Sequence, residues 1–264
     1  MPWWLLLAAQ TVDPAAWGSS HAGKPVPEFV HGEECLFCHR NNIGPSWQKN
    51  AHGTTIRPRE DDPSRFLLGG RFQTRELRKE SYGTFSILMP SGEWDRTRFG
   101  DRCAGCHATA VDAKTRTFAY YGLDCYTCHG VVDLNHGADT TLVLLARKRR
   151  DEPRVVTSIC ASCHLRGGRS KSTGLPYPDN FVPGDNLFKD FRIDWKTPGE
   201  DVHVWRSVRD GGESTCLACH TLHTGSTEKH RRVLPGPICN DCHYEGRPRK
   251  EVRPLVRRSA VCEY

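Results

Sequence analysis

Six times the chain writes Cys-x-x-Cys-His: Cys35, Cys38 and His39; Cys103, Cys106 and His107; Cys125, Cys128 and His129; Cys160, Cys163 and His164; Cys216, Cys219 and His220; Cys239, Cys242 and His243. Two thiols three residues apart with an imidazole beside the second are what covalent attachment of a c-type haem requires. The sulfurs add to the porphyrin vinyl groups and the histidine takes one face of the iron. Zinc ribbons and thiol–disulfide redox sites also use Cys-x-x-Cys, but neither needs the histidine. With 13 histidines in 264 residues, six such placements by chance have a probability on the order of one in 10⁸. The motifs therefore predict six covalently attached haems c, each bringing its iron.

The opposite face of each iron needs a second ligand. Methionine is nearly absent: besides Met1 there is only Met89, so His/Met ligation can describe at most one haem. Seven histidines lie outside the motifs, namely His21, His31, His52, His136, His203, His223 and His230. Setting aside His21, which falls near the leader, the count matches bis-histidine ligation, with His52, His136, His223, His203, His230 and His31 as the distal candidates. His223 follows His220 too closely to reach round the same iron and is expected to serve a neighbouring haem. Without axial methionine, the potentials should lie at the low end of the cytochrome range. His31, four residues before Cys35, is the candidate on which full coordination turns.

Only 37% of the chain is hydrophobic, while glycine and proline contribute 24 and 17 residues, a thin core for this length. Porphyrins would supply the missing apolar surface, so the apo-chain should not fold stably. The formal charge of +6 invites a nucleic-acid reading. However, each haem adds about −1 when oxidised and about −2 when reduced, which leaves a holoprotein near neutral or below. Much of the arginine and lysine excess is then assigned to propionates, and no nucleic-acid partner is expected. Cys262 stands outside the motifs and reads as a free tail thiol.

The motifs must be positioned by short elements. The intervals from motif histidine to next motif cysteine are 63, 17, 30, 51 and 18 residues, so this is no solenoid repeat. The short tethers pair haems two and three and haems five and six. In the long first interval, Phe85, Ile87 and Met89 alternate with Ser86 and Leu88 ahead of Ser91-Gly92, which predicts a strand with Thr115 to Tyr121 as its partner. Pro45 opens a short helix carrying His52 near its end. Asp139 should cap a helix from Thr140 to Arg150, its Arg147–Arg150 run lying favourably at the C-terminus. Pro198 to Arg209 reads as a helix with Val202, Trp205 and Val208 on one face. The expected fold is mainly α and loop-rich, with short helices around a chain of stacked haems and a small β-hairpin between haems one and two. Residues 1–20, with the apolar run Trp3 to Ala9, read as a leader or signal peptide; 21–247 as the hexahaem domain; 248–264 as a basic tail.

Certain stretches resemble a known family. Cys35-Leu36-Phe37-Cys38-His39 with Trp47 to His52, Arg65 to Gly70 with Pro90 to Trp94, and Cys103 to His107 are similar to the multihaem cytochromes related to the tetrahaem nitrifier cytochrome and hydroxylamine oxidoreductase. So are Cys125 to Gly130 with His136, Cys160 to Arg166 with Gly184, and Cys216 to His223 with Cys239 to His243. The resemblance spans about residues 30 to 245 and implies a helical, loop-rich protein around close-packed, largely bis-histidine haems. The chain departs from the pattern at His129-Gly130-Val131-Val132, where the family usually continues His-Gly-Pro-Gly. No lysine replaces a motif histidine. Nothing matches the cross-linking tyrosine of hydroxylamine oxidoreductase, and Tyr120 and Tyr121 read as packing residues.

Two functions fit these expectations. The ligand count favours a carrier, with no catalytic residue, passing single electrons along the haems between partners such as a quinol oxidase or dehydrogenase and a terminal reductase. The alternative is an oxidoreductase with one open iron acting on nitrite, hydroxylamine or a similar small molecule. A structural or haem-storage role is the remaining reading. Thioether attachment is completed outside the bacterial cytoplasm, which implies a periplasmic or otherwise extracytoplasmic protein. Peripheral membrane association and self-assembly are both compatible with the sequence.

Overall fold

Between the first two motifs the polypeptide builds a core of its own. The computed structural model describes residues 32–68, 75–80, 84–112, 117–130, 132–146, 149, 151–178, 181–196, 204–205, 208–209, 216–218, 220 and 222–223. The leader, His21, His31, His203, Cys219, His230, the motif Cys239, Cys242 and His243, the basic tail and Cys262 lie outside these residues.

After a first helix, α1 (Gly32–His39), and a single turn, α2 (Gly44–Trp47), five strands follow: β1 (Ile56–Pro58), β2 (Arg65–Leu68), β3 (Arg75–Glu80), β4 (Thr84–Leu88) and β5 (Trp94–Asp95). They form one antiparallel sheet in sequence order. The register sets Phe66 opposite Leu77 and Leu77 opposite Ile87, so one face is apolar across three strands. Phe85 on that face packs at 5.3 Å and 13° on Phe118, and edge-on to Phe66 and Phe99. Leu77 and Phe85 are completely buried. Asp95 caps α3 (Arg96–Arg102), its carboxylate accepting from the backbone N–H of Arg98 at 2.9 Å, and α3 packs on β4 as it leads into motif two.

This sheet corrects the mainly α expectation and enlarges the expected hairpin to five strands. The reason lies in β3, Arg-Glu-Leu-Arg-Lys-Glu, where a single apolar residue in six is too little for a period to be read. Only the two neighbouring strands make Leu77 a core residue. The expected partner of β4 is also different: β7 (Thr117–Tyr121) pairs with β6 (Ala108–Asp112) in a separate hairpin directly after motif two. Tyr120 and Tyr121 lie on β7.

The remaining described elements are shorter. α4 (Ala104–His107), α5 (Cys125–His129) and α6 (Pro153–His164) carry motifs two, three and four. The strands β8 (Arg169–Ser170) and β9 (Phe191–Arg192) form a two-stranded ribbon. Asp139 is a cap as expected, but of a 3₁₀ turn, Thr140–Leu142, rather than of a long helix. Residues 204–205 and 208–209 are helical. Trp205 is buried against Ala161 and Leu165 of the motif-four segment, together with Leu187, Phe191 and Ile193. Among the described residues no helix is long and apolar enough to cross a membrane.

Candidate cofactor-attachment site

Four helices end on the histidine of a motif: α1 on His39, α4 on His107, α5 on His129 and α6 on His164. Helical spacing places the first cysteine, the second cysteine and the histidine on one face. Cys216–Ala218 forms a 3₁₀ turn, and the His220 N–H donates to the Cys216 carbonyl at 3.0 Å. Buried Asp124 starts α5 by accepting from the Cys125 N–H, and the Thr127 hydroxyl accepts from the Asp124 N–H at 3.4 Å. Pro153 starts α6. In motif two, Gly105 is required by contact: a Cβ there would lie 2.0 Å from the ring of buried Tyr177.

The motif segments lie against one another. α6 packs on α4, on α5 and on the Cys216–Ala218 turn, and α1 packs on α5. Cys106 Sγ donates to the Cys163 carbonyl at 3.9 Å, while Cys35 meets Cys125 and Cys160 meets Cys216. The Thr109 and Thr127 hydroxyls, 3.2 Å apart, join motifs two and three. Contact with a second thiol and burial push Cys106, Cys125 and Cys160 up. Burial pushes Cys128 up to about 12. The partners of Cys106 and Cys160, Cys163 and Cys216, are shifted down by the same contacts. No disulfide joins the described cysteines.

Among the described residues, three pairs of histidine rings meet. His39 lies 6.0 Å from His136 between ring centres, His52 lies 6.1 Å from His164, and His129 lies 5.8 Å from His223. Each pair joins a motif histidine to one outside the motifs. An iron–nitrogen bond of about 2.0 Å, plus about 1.1 Å from nitrogen to ring centre, puts two rings on opposite faces of one iron about 6.2 Å apart. Aromatic contact alone permits such distances. It gives no reason for every pair to combine one histidine of each kind.

The outer nitrogens are disposed for the same role. His129 Nδ1 donates to the Leu144 carbonyl at 2.6 Å, and His136 Nδ1 to the Asp133 carbonyl at 2.7 Å. Each bond leaves Nε2 with its lone pair, the tautomer a metal ligand needs. Burial pushes the imidazoles of His129 and His223 down. Burial and then Arg166 push His107 down to about 4. All three are held neutral at physiological pH. Buried Nδ1 of His107 has no hydrogen-bond partner, so the site around motif two leaves a polar atom to be satisfied.

Of the sequence candidates, His52, His136 and His223 are each brought to a motif histidine, whereas His31, His203 and His230 fall outside the described residues. The Met89 sulfur accepts from Arg98 Nη1 at 3.3 Å on the turn after β4. The carbonyls of Leu144 and Asp133 were invisible to sequence reasoning, because any residue offers a carbonyl. Gly130 was the available signal: its φ of 63° and ψ of −153° suit glycine alone, and a Cβ there would lie 3.0 Å from Leu144. Among the described residues no three or more His, Cys, Asp or Glu side chains gather to hold a bare metal ion. A porphyrin iron would ask the protein for only two ligands, a number that a pair of histidine rings fits. Compared with protein-family models, with curated proteins and with solved structures, the chain matches none.

Proposed function

We propose that this chain is a multihaem c-type cytochrome, an extracytoplasmic carrier that passes single electrons along six covalently bound haems, and that it belongs with the relatives of the tetrahaem nitrifier cytochrome and hydroxylamine oxidoreductase. The observation that carries the reading is the set of three ring pairs, each matching one motif histidine with one outside. When bound, the haems supply reversible one-electron chemistry between ferric and ferrous iron. His39 with His136, His164 with His52, and His129 with His223 would hold three of the haem irons. Leu144 and Asp133 orient His129 and His136 through their carbonyls. The motif segments pack two beside three, three beside four and four beside five, as in the sequence, and add contacts of one with three and of two with four. At motif one, Phe37 is 79% accessible and Cys38 is also exposed. A dehydrogenase or quinol oxidase on one side and a terminal reductase on the other are the partners this role requires.

With three distal ligands assigned, the alternative of an oxidoreductase with an open iron narrows to motifs two, five and six, for which His31, His203 and His230 are the remaining candidates. The test is intact-mass analysis with low-temperature electron paramagnetic resonance of the protein as isolated. Six haem increments and a wholly low-spin ferric spectrum are expected. A bare polypeptide mass would overturn the haem reading. A high-spin signal that shifts with nitrite or hydroxylamine would replace the carrier by the enzyme.

A further inference from the structure

Asn50 is completely buried and polar, and its side chain bonds to the backbone of two segments that each carry a paired histidine. Its Oδ1 accepts from the backbone N–H of His52 at 2.8 Å, and its Nδ2 donates to the carbonyl of Leu222 at 2.5 Å. His52 carries the ring that meets His164 of motif four. Leu222 is followed directly by His223, whose ring meets His129 of motif three. The backbone of Asn50 is itself anchored: its N–H donates to the Trp47 carbonyl at 2.9 Å, and its carbonyl accepts from the Thr54 N–H at 3.0 Å and the Thr54 hydroxyl at 2.8 Å. The amide thus bridges two segments distant in sequence. Its orientation is set by its neighbours, because a flipped amide would face N–H with NH₂ and carbonyl with oxygen.

We infer that Asn50 is a positioning residue for two irons at once, its carboxamide holding the distal histidines His52 and His223 in place on the neighbouring motifs four and three. This rests on the haem reading above. The two ends of the amide do different work. An acceptor is needed for the His52 N–H and a donor for the Leu222 carbonyl, and the carboxamide presents the two on separate atoms of one planar group. Each end orients a segment next to a ligand rather than the ligand ring itself. The bonds therefore act as outer supports of the coordination sphere.

The two ends can be separated by substitution. Asn50→Asp keeps an acceptor toward His52 but sets an oxygen against the Leu222 carbonyl, so it should release His223 alone and convert one iron, that of motif three, from low to high spin. Asn50→Ala removes both bonds and should convert two. His223→Ala and His52→Ala, measured by the same electron paramagnetic resonance with spin counting, identify the two signals, and added imidazole should return each to low spin. If the histidine variants produce no high-spin iron, the haem reading itself fails. If they do, but both Asn50 variants stay fully low-spin and only melt earlier, Asn50 is merely structural and the inference is overturned. Conversion of the motif-four iron alone by Asn50→Asp would overturn it as well. Should the alanine variant fail to fold, the isosteric aspartate variant decides alone.

Discussion

The sheet between motifs one and two and the motif segments around α6 are held together by different means. In the sheet, Phe85, Phe99 and Phe118 pack ring on ring over Leu77 and Ile87, and the register makes the apolar face continuous. Around α6, Trp205, Leu187, Phe191 and Ile193 pack on Ala161 and Leu165, but the four motif helices, of four to twelve residues, meet one another partly through cysteines, histidines, threonines and short turns. Side chains of that kind bury little apolar surface for the backbone they order. The second region therefore has a smaller apolar core beside a set of thiols and imidazoles, which on the proposed reading the haems complete.

The largest effect that could break this contrast is loss of the haems. Chain made without haem attachment should give no cooperative melt in the motif region, as small metal-dependent domains collapse without metal. Hydrogen exchange should then find α5 and α6 unprotected while β3 and β4 keep protection. Equal protection in both regions would remove the distinction. A smaller effect attacks the other side: Phe85→Ala should destabilise the sheet by about 3–5 kcal/mol in a denaturant titration. The low-spin signals of the paired irons should survive it. If they vanish together with the sheet, the two regions fold as one. The smallest expected change sharpens the account of the motif region. Gly130→Ala forces a side chain into a conformation suited to glycine and against Leu144, at a cost on the order of 1–3 kcal/mol. It should also loosen the Leu144 carbonyl from His129, read as a shift in one midpoint potential in a spectropotentiometric titration.

The sequence was most legible where the chemistry is local. Cys-x-x-Cys-His is complete within five residues, so each motif states its own ligand and its own attachment points. The strand at Phe85 and Ile87 was equally readable, since alternation is a property of the segment itself. β3 was not, because Leu77 becomes core only through Phe66 and Ile87 on other strands. Thr117–Tyr121 was read as a strand but with the wrong partner, since pairing is a choice among surfaces. The helix expected after Asp139 ends after one 3₁₀ turn, where Val143 is extended and the next residue, Leu144, meets His129 through its carbonyl.

What the amino-acid order determined by itself is an inventory: the motif histidines, a matching set of histidines elsewhere, and almost no methionine. Tertiary structure decided which rings meet, His39 with His136, His164 with His52 and His129 with His223, and it added contacts of motif one with three and of motif two with four to those between successive motifs. The physical reason is that counting ligands needs only residue types, whereas two rings share an iron only when separate segments are brought to opposite sides of one point. That meeting depends on bonds such as those from Asn50 to His52 and Leu222, between parts of the chain that nothing local connects.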